Sequence, residues 1–329
     1  MTELLKVLSI DGGGIRGVIP AMILSEIEAR TQTRTAHLFD LIAGTSTGGI
    51  LALGLVKPDE HGDPAYSADD LVALYEKEGK RIFDRSLWHR VIALDNLIDE
   101  KYDAAGLEHL LSKYFGEARL KDAVAEVLVT SYELETREPW FFARHKAQSD
   151  PAFDFEMRFV ARATSAAPTY FEPEKLPQTR PTGGLVDGGV FANNPALCAY
   201  VETKDLHPDH EEILVVSLGT GQHTRPIHYA DAKDWGLALW AKPILSVVFD
   251  GVSDTVDHEM KILCRDTDDG DPRYYRFQTE LNVGSDDMDN ATATNLLALK
   301  QKAEQIIANN DAVLDRLCEE LTAKVAEPA

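Results

Sequence analysis

Short apolar runs that end in glycine-rich turns recur along this chain of 329 residues. Between them lie segments with apolar residues at helical spacing, such as 67–83 and 104–116. Strands that alternate with helices predict an α/β fold with a mostly parallel central sheet covered by helices. Functional sites in such folds lie at the carboxyl ends of the strands. The runs are LLKVLSIDGGG, HLFDLIAGTSTGG, AEVLVTSYEL, GLVDGGV and EEILVVSLGTG.

The sequence shows no boundary between domains. No repeat, low-complexity tract or linker divides it, so the sequence predicts a single domain over residues 1–329. The pattern of residues 291–325 is typical of two helices, which we expect to pack on the sheet.

The first glycine-rich turn raises two interpretations. Gly12, Gly14 and Gly17 follow an apolar run in the spacing G-x-G-x-x-G, which is the dinucleotide-binding pattern. That pattern also needs an acidic residue at the end of the second strand, about 20 positions on. Asp40 has this spacing but precedes the second apolar run. The loop is therefore better suited to another anion than to a cofactor's pyrophosphate.

The second glycine-rich turn has the pattern of a nucleophile elbow. Ser46 lies in G-x-S-x-G between an apolar strand and an apolar helix, where a tight turn exposes the serine hydroxyl. Gly44 and Gly48 keep side chains away from this turn. The helix N-terminus also favours a developing negative charge on the serine oxygen.

Serine acyl chemistry needs backbone N–H groups directed at an oxyanion. The amides of Gly12, Gly13 and Gly14 can turn inward together, since no side chain interferes. The two loops follow neighbouring strands, so we expect them to face each other. The anion of the first loop is then a transient oxyanion.

The nucleophile also needs a base. Asp187 stands at the end of an apolar run and is followed by two glycines, as in the first two loops. A turn-capping role for this aspartate is the alternative. None of the histidines considered as bases follows a clear strand end: His207, His210, His223, His228 and His258.

The motifs DGGGIRG, GTSTG and DGG, in this order, resemble those of the bacterial patatin-like phospholipases. The similarity continues through ATSAAPTYFEP, SLGTG and YYRFQTEL, and so spans nearly the whole chain. It implies a three-layer sandwich with helices on both faces of the sheet. It also implies that Ser46 is the nucleophile, Asp187 the base, Gly12, Gly13 and Gly14 the oxyanion hole, and Arg16 a brace for that loop.

The resemblance implies a lipid acyl hydrolase that cleaves phospholipids or lysophospholipids through a Ser–Asp dyad and an acyl-enzyme. Some bacterial relatives are antiviral effectors activated by cyclic nucleotides, which gives a regulated alternative. A non-catalytic lipid-binding module is the other alternative. None of the motifs calls for a metal or a cofactor.

The net charge limits the classes of binding partner, and the cysteine content bears on the cellular location. A formal net charge of −22 excludes nucleic acid and simple adhesion to anionic lipid, because both are negatively charged. Contact with a membrane must then be local, transient and apolar. Cys198, Cys264 and Cys318 are widely spaced, and no signal-peptide pattern precedes the first apolar run. We expect a cytoplasmic protein, peripheral at the membrane when active; a small-molecule activator and a homo-oligomer remain open.

The most apolar stretch after the elbow helix is 235–252. It is too short for a membrane span and carries Lys242 and Pro243. Pro243 predicts a helix start. The stretch is either buried core, or it lines the acyl pocket and places Trp235 and Trp240 at the bilayer surface.

Overall fold

A central sheet of eight strands organises the part of the chain that the structure describes. The computed structural model describes residues 4–83, 105–177, 183–222, 224–240, 243–267, 270–282 and 287–323. The strand order is β5-β6-β3-β2-β1-β7-β8, with β4 paired to β3. The strands are β1 (Leu5–Ile10), β2 (Leu41–Thr45), β3 (Glu126–Glu133), β4 (Glu138–Ala143), β5 (Glu174–Lys175), β6 (Gly184–Asp187), β7 (Ile213–Leu218) and β8 (Tyr274–Phe277).

Helices of very different lengths connect these strands. Short 3₁₀ turns occur at Gly14–Gly17, Thr35–His37, Leu120–Asp122 and Pro151–Phe153. The helices are α1 (Val18–Thr31), α2 (Thr47–Val56), α3 (Ala68–Phe83), α4 (Ala105–Phe115), α5 (Arg144–Ser149), α6 (Met157–Thr164), α7 (Gly189–Ala192), α8 (Ala196–Leu206), α9 (Tyr229–Ala232), α10 (Leu237–Trp240), α11 (Pro243–Leu263), α12 (Ala293–Asn309) and α13 (Asp311–Thr322).

The sheet is covered on both faces, as predicted. Successive side chains of a strand point to opposite faces, so β1 places Leu8 and Ile10 in one core and Leu5 and Val7 in another. Helices α1, α2 and α12 contribute to the first core, whereas α8 and α11 contribute to the second. Strands β1, β2 and β7 are almost wholly buried, which explains their near-continuous apolar sequences.

The two predicted C-terminal helices correspond to α12 and α13. Both pack on α1, and so reach the sheet mainly through another helix. A direct tie to the sheet comes from the Lys6 Nζ, which donates to the Leu321 carbonyl oxygen at 2.9 Å.

Two strands, β2 and β6, pair with consecutive parts of the same edge of β3. Strand β3 pairs with β4 over Leu128–Glu133, so both β2 and β6 must use the opposite edge. Strand β2 is parallel and ends opposite Thr130, with Thr45 as its last paired residue. Strand β6 is antiparallel and ends opposite Ser131, with Asp187 as its last residue. The carboxyl ends of β2 and β6 therefore meet head to head.

The mostly parallel sheet of the prediction is confirmed, since β1, β2, β3, β7 and β8 run parallel. The sequence did not predict the antiparallel direction of β4, β5 and β6. The direction of a strand depends on which edge of the sheet is free to pair with it. An apolar run followed by a turn has the same sequence pattern in a parallel and in an antiparallel strand.

Close backbone contacts fix the elbow between β2 and α2. A Cβ at Gly44 would lie 2.1 Å from the Gly48 carbonyl oxygen, and a Cβ at Gly48 would lie 2.1 Å from the Ile10 carbonyl oxygen. These contacts are with backbone, which cannot rotate away as a side chain can. The steric role predicted for both glycines is confirmed.

We predict that Gly48→Ala destabilises the protein by about 1–3 kcal/mol, because the new methyl group overlaps the β1 backbone. The matched control is Gly251→Ala in α11, where a Cβ meets no atom within 4 Å. That change should stabilise the protein by roughly 0.5–1 kcal/mol. Urea unfolding of both variants measures the difference, and a neutral Gly48→Ala would contradict the contact.

Candidate active site

Ser46 occupies a strained turn between β2 and α2. Its backbone has φ 55° and ψ −123°, a combination that non-glycine residues rarely adopt. The Ser46 amide donates to the Thr164 Oγ1 at 2.8 Å, and that hydroxyl donates to the Thr130 carbonyl oxygen at 2.7 Å. The surrounding hydrogen bonds hold the strained conformation and leave the hydroxyl half-exposed at the helix start.

Asp187 is buried beside Ser46, with only 1% of its surface exposed. Its carboxylate accepts hydrogen bonds from the Ser46 side chain and, at 2.7 Å, from the Gly189 amide. Burial raises the pKa of Asp187 to about 7, and the two hydrogen bonds only partly oppose this effect. A carboxylate with this pKa accepts a proton far more readily than an exposed aspartate.

The glycine loop after β1 lies against the same turn, but Gly12 is held differently from Gly13 and Gly14. The Gly12 amide donates to the Asn193 carbonyl oxygen at 2.9 Å, and its own carbonyl oxygen accepts from the Thr220 Oγ1 at 2.7 Å. The Gly12 amide is therefore already used within the protein. This contradicts its predicted part in the oxyanion hole.

Gly13 and Gly14 line the cleft above Ser46. Within the described ranges, the structure gives their amides no protein acceptor. A Cβ at Gly13 would lie 2.3 Å from the Thr220 Oγ1, and Gly14 has a left-handed φ of 61° against the Met288 carbonyl. Glycine is thus required at both positions, by close packing at the first and by backbone conformation at the second.

Arg16 is buried behind the glycine loop. Its Nε donates to the Gly13 carbonyl oxygen and its guanidinium to the Gly221 carbonyl oxygen, both at 3.2 Å. Burial lowers the pKa of Arg16 to about 10. The side chain therefore connects the loop after β1 to the loop after β7.

A buried ion pair that sequence reasoning missed lies below the same loop. The Arg276 guanidinium of β8 donates to both oxygens of Asp11, at 2.9 and 2.6 Å. The Ser217 Oγ of β7 accepts a further bond from it at 2.8 Å. Asp11 is separated from Arg276 by 265 positions, so no local pattern could have joined them. The pair ties β8 to the end of β1.

These elements surround a cleft of about 620 Å³ that contains Ser46 and Asp187. No histidine of the described chain lines it, although His223 lies outside the described residues. The sequence analysis used the ATSAAPTYFEP segment only as a sign of resemblance and assigned no role to Asn193, yet both contribute to the cleft. Most of the wall is apolar and is contributed by Ile50, Leu107, Phe171, Phe249 and Met288.

The stretch that was ambiguous in the sequence is not uniformly buried. Helix α11 begins at Pro243, as predicted, and its Phe249 reaches the cleft. Leu239, Ile244 and Val247 are 59%, 43% and 44% exposed. Within the described residues, no helix combines the length and the apolar composition needed to cross a membrane.

Comparison with known proteins identifies the class. A family model described as patatin-like phospholipase matches residues 8–200. The chain therefore belongs to the patatin-like phospholipase family. It is 33% identical to patatin-like protein 4 of Arabidopsis thaliana, over 94% of this chain and 84% of the relative.

A second relative is named as probably inactive, and one solved structure matches at much lower sequence identity. A Solanum tuberosum protein, "Probable inactive patatin-3-Kuras 1", is 31% identical over 93% of this chain and 87% of its own length. These relatives are plant proteins, so the bacterial affiliation predicted from the motifs is not supported. The crystal structure of VipD from Legionella pneumophila matches at 12% identity and a TM-score of 0.37, covering 92% of this chain and 67% of VipD.

We predict that Asp187→Asn gains stability over the wild type as the pH rises. With its pKa raised from 3.8 to about 7, Asp187 contributes its full stability below pH 4. Between these values the folded state holds a proton that the unfolded chain has lost. The wild type therefore loses about 1.4 kcal/mol per pH unit up to pH 7, and no more above it.

Urea unfolding at pH 5, 6, 7 and 8 measures this difference. The matched control is Asp59→Asn, an exposed site where backbone hydrogen bonds from His61 and Asp63 lower the pKa of the carboxyl. Its titration lies below this window, so its difference from the wild type should stay flat. A flat response for Asp187→Asn as well would contradict the raised pKa.

Proposed function

We propose that this protein is a lipid acyl hydrolase that cleaves fatty-acyl esters of phospholipids or lysophospholipids. The family supports lipid acyl hydrolysis in general. The observation that carries the finer proposal is the buried Asp187 carboxylate, hydrogen-bonded to the Ser46 side chain in an apolar cleft. Ser46 is proposed as the nucleophile and Asp187 as its base.

In the first step, the Ser46 Oγ attacks the ester carbonyl carbon and Asp187 accepts the hydroxyl proton. A pKa of about 7 suits this exchange at neutral pH, because a substantial fraction of the carboxylate is ionised and the ionised form is basic enough to accept the hydroxyl proton. The carbonyl oxygen becomes an oxyanion. The tetrahedral intermediate then collapses, the bond to the alcohol oxygen breaks, and Asp187 returns the proton to that oxygen.

In the second step, Asp187 takes a proton from water, whose oxygen attacks the acyl-enzyme carbonyl. The bond between the carbonyl carbon and the Ser46 Oγ breaks, and Asp187 restores the proton to the serine. Free fatty acid leaves the cleft. The same carboxylate therefore acts as base and acid in both steps, without a histidine.

The amides of Gly13 and Gly14 are proposed as the oxyanion donors. Both lie in the cleft beside Ser46, and neither has a protein acceptor within the described residues. Gly12 is proposed instead as the fixed point of the loop, held by Asn193 and Thr220. The bonds from Arg16 to the carbonyls of Gly13 and Gly221 are those that a bracing role requires.

Contacts outside the catalytic residues support two further parts of the proposal, a single domain and contact with lipid. Helices α12 and α13 pack on α1, and Met288 accepts from the Ile15 amide at 2.9 Å while lining the cleft. We therefore retain one hydrolase domain over 1–329. Transient membrane contact is proposed for α10 and the start of α11, because this segment carries exposed apolar residues and α11 also contributes Phe249 to the cleft. Activation by a cyclic nucleotide, homo-oligomer formation and a cytoplasmic location stay predictions from the sequence.

An active-site label tests the proposed function against a non-catalytic lipid-binding module. A fluorescent alkyl phosphonate should label the wild type at Ser46, and Ser46→Ala should abolish both labelling and ester hydrolysis. Asp187→Asn should reduce hydrolysis as fully, because the two residues act together. His258→Ala serves as the control and should keep most of the rate. A label on another serine, or no hydrolysis by the wild type, would refute the assignment.

A second test concerns membrane contact. We predict that Trp240→Ala and Leu239→Ser lower hydrolysis of vesicle phospholipid about tenfold, which equals about 1.4 kcal/mol of lost apolar contact. Hydrolysis of a short soluble ester should change little. Leu297→Ser is the matched control, because Leu297 on α12 is 58% exposed and Leu239 is 59% exposed. Equal losses on both substrates, with a lower Tm, would assign the segment to the core.

A further inference from the structure

The last residue of α6 and the two residues that follow it connect the two proposed catalytic residues. Thr164 accepts from the Ser46 amide at 2.8 Å, and the Ala166 carbonyl oxygen accepts from the Asp187 amide at 3.0 Å. Ser165 lies between these two contacts. A side chain at this position is held at a fixed distance from both nucleophile and base.

Ser165 itself has an unused hydroxyl. The residue is 8% exposed and lines the cleft. Its Oγ is shielded from solvent and finds no hydrogen-bond partner among the described residues. A buried hydroxyl without a partner is energetically unfavourable, so such groups are rare in native proteins. Since no hydrogen bond holds its rotamer, the hydroxyl is free to turn toward a group in the cleft.

The chemistry of the cleft indicates which group this is. In the proposed mechanism, Asp187 exchanges protons with the alcohol oxygen in the first step and with water in the second. The second step runs the first in reverse with water in place of the alcohol, so both oxygens occupy the same place beside Asp187. The Gly13 and Gly14 amides serve a different oxygen, that of the carbonyl. The alcohol or water oxygen beside Asp187 therefore has no assigned polar contact other than Asp187 itself.

We infer that Ser165 is a substrate-contacting residue that holds this exchanging oxygen. Its hydroxyl donates to the ester's alcohol oxygen as that bond breaks, and accepts from the attacking water in the second step. No proton is transferred to Ser165 overall. The inference rests on the proposed function and adds to it a third side chain.

The test measures p-nitrophenyl ester hydrolysis by Ser165→Ala. The nitrophenolate leaving group needs little assistance, so formation of the acyl-enzyme and its burst of nitrophenol should persist. Attack by water should slow, and the steady-state kcat should fall about tenfold, as expected for one lost hydrogen bond in the transition state. Ser165→Thr, which keeps the hydroxyl, should recover most of the rate.

Stability distinguishes substrate contact from a structural role. Ser165→Ala removes no protein hydrogen bond, so its Tm should equal or exceed that of the wild type. The control Thr203→Ala removes a buried hydroxyl that donates to the Ala199 carbonyl oxygen within α8, at 2.8 Å. It should lower the Tm and leave kcat unchanged.

Wild-type kcat in Ser165→Ala, or a lower kcat together with a lower Tm, would overturn the inference. Either result leaves the proposed function intact, provided that Ser46 is still labelled by the phosphonate. An unlabelled and inactive wild type would instead refute the proposed function.

Discussion

The edge of β3 is the constraint on which the site depends. Because β4 occupies one edge, β2 and β6 share the other, and their carboxyl ends stop at Thr130 and Ser131. Ser46 directly follows the last residue of β2, and Asp187 is the last residue of β6. Thr130 strengthens the junction, since its hydroxyl pairs with that of Thr45 at 2.7 Å and its carbonyl accepts from Thr164. Two residues 141 positions apart in sequence are thus placed by adjacent positions of one strand.

The opposite wall of the cleft is fixed by side chains from several loops. Gly12 is held between Asn193 and Thr220, Arg16 spans the loops after β1 and β7, and the pair of Asp11 and Arg276 lies beneath. Removing one member of a buried ion pair is strongly destabilising, because the other charge is left uncompensated. The backbone amides of the glycine loop are therefore oriented before any ligand arrives, which is the condition for strong stabilisation of a developing charge.

Local patterns predicted those parts of the site that depend on neighbouring residues. Ser46 and the glycines around it could be recognised because a tight turn leaves no room for side chains, and Asp187 because it follows an apolar run. Their roles in catalysis stay predictions. The use of the Gly12 amide, the contacts of Thr164 and the partner of Asp11 could not be predicted. Each depends on a contact between distant segments, and the sequence pattern at either end would be the same without it.

The backbone of Ser46 has an evolutionary consequence. A non-glycine residue with φ 55° and ψ −123° is strained, whereas glycine adopts positive φ freely. Replacing the serine by glycine would relieve that strain and leave the elbow geometry in place. Folding therefore does not select for the serine; under the proposed function, only the reaction does. A lineage that no longer needs the reaction can lose the residue without losing the scaffold, and the scaffold then becomes available for a different use.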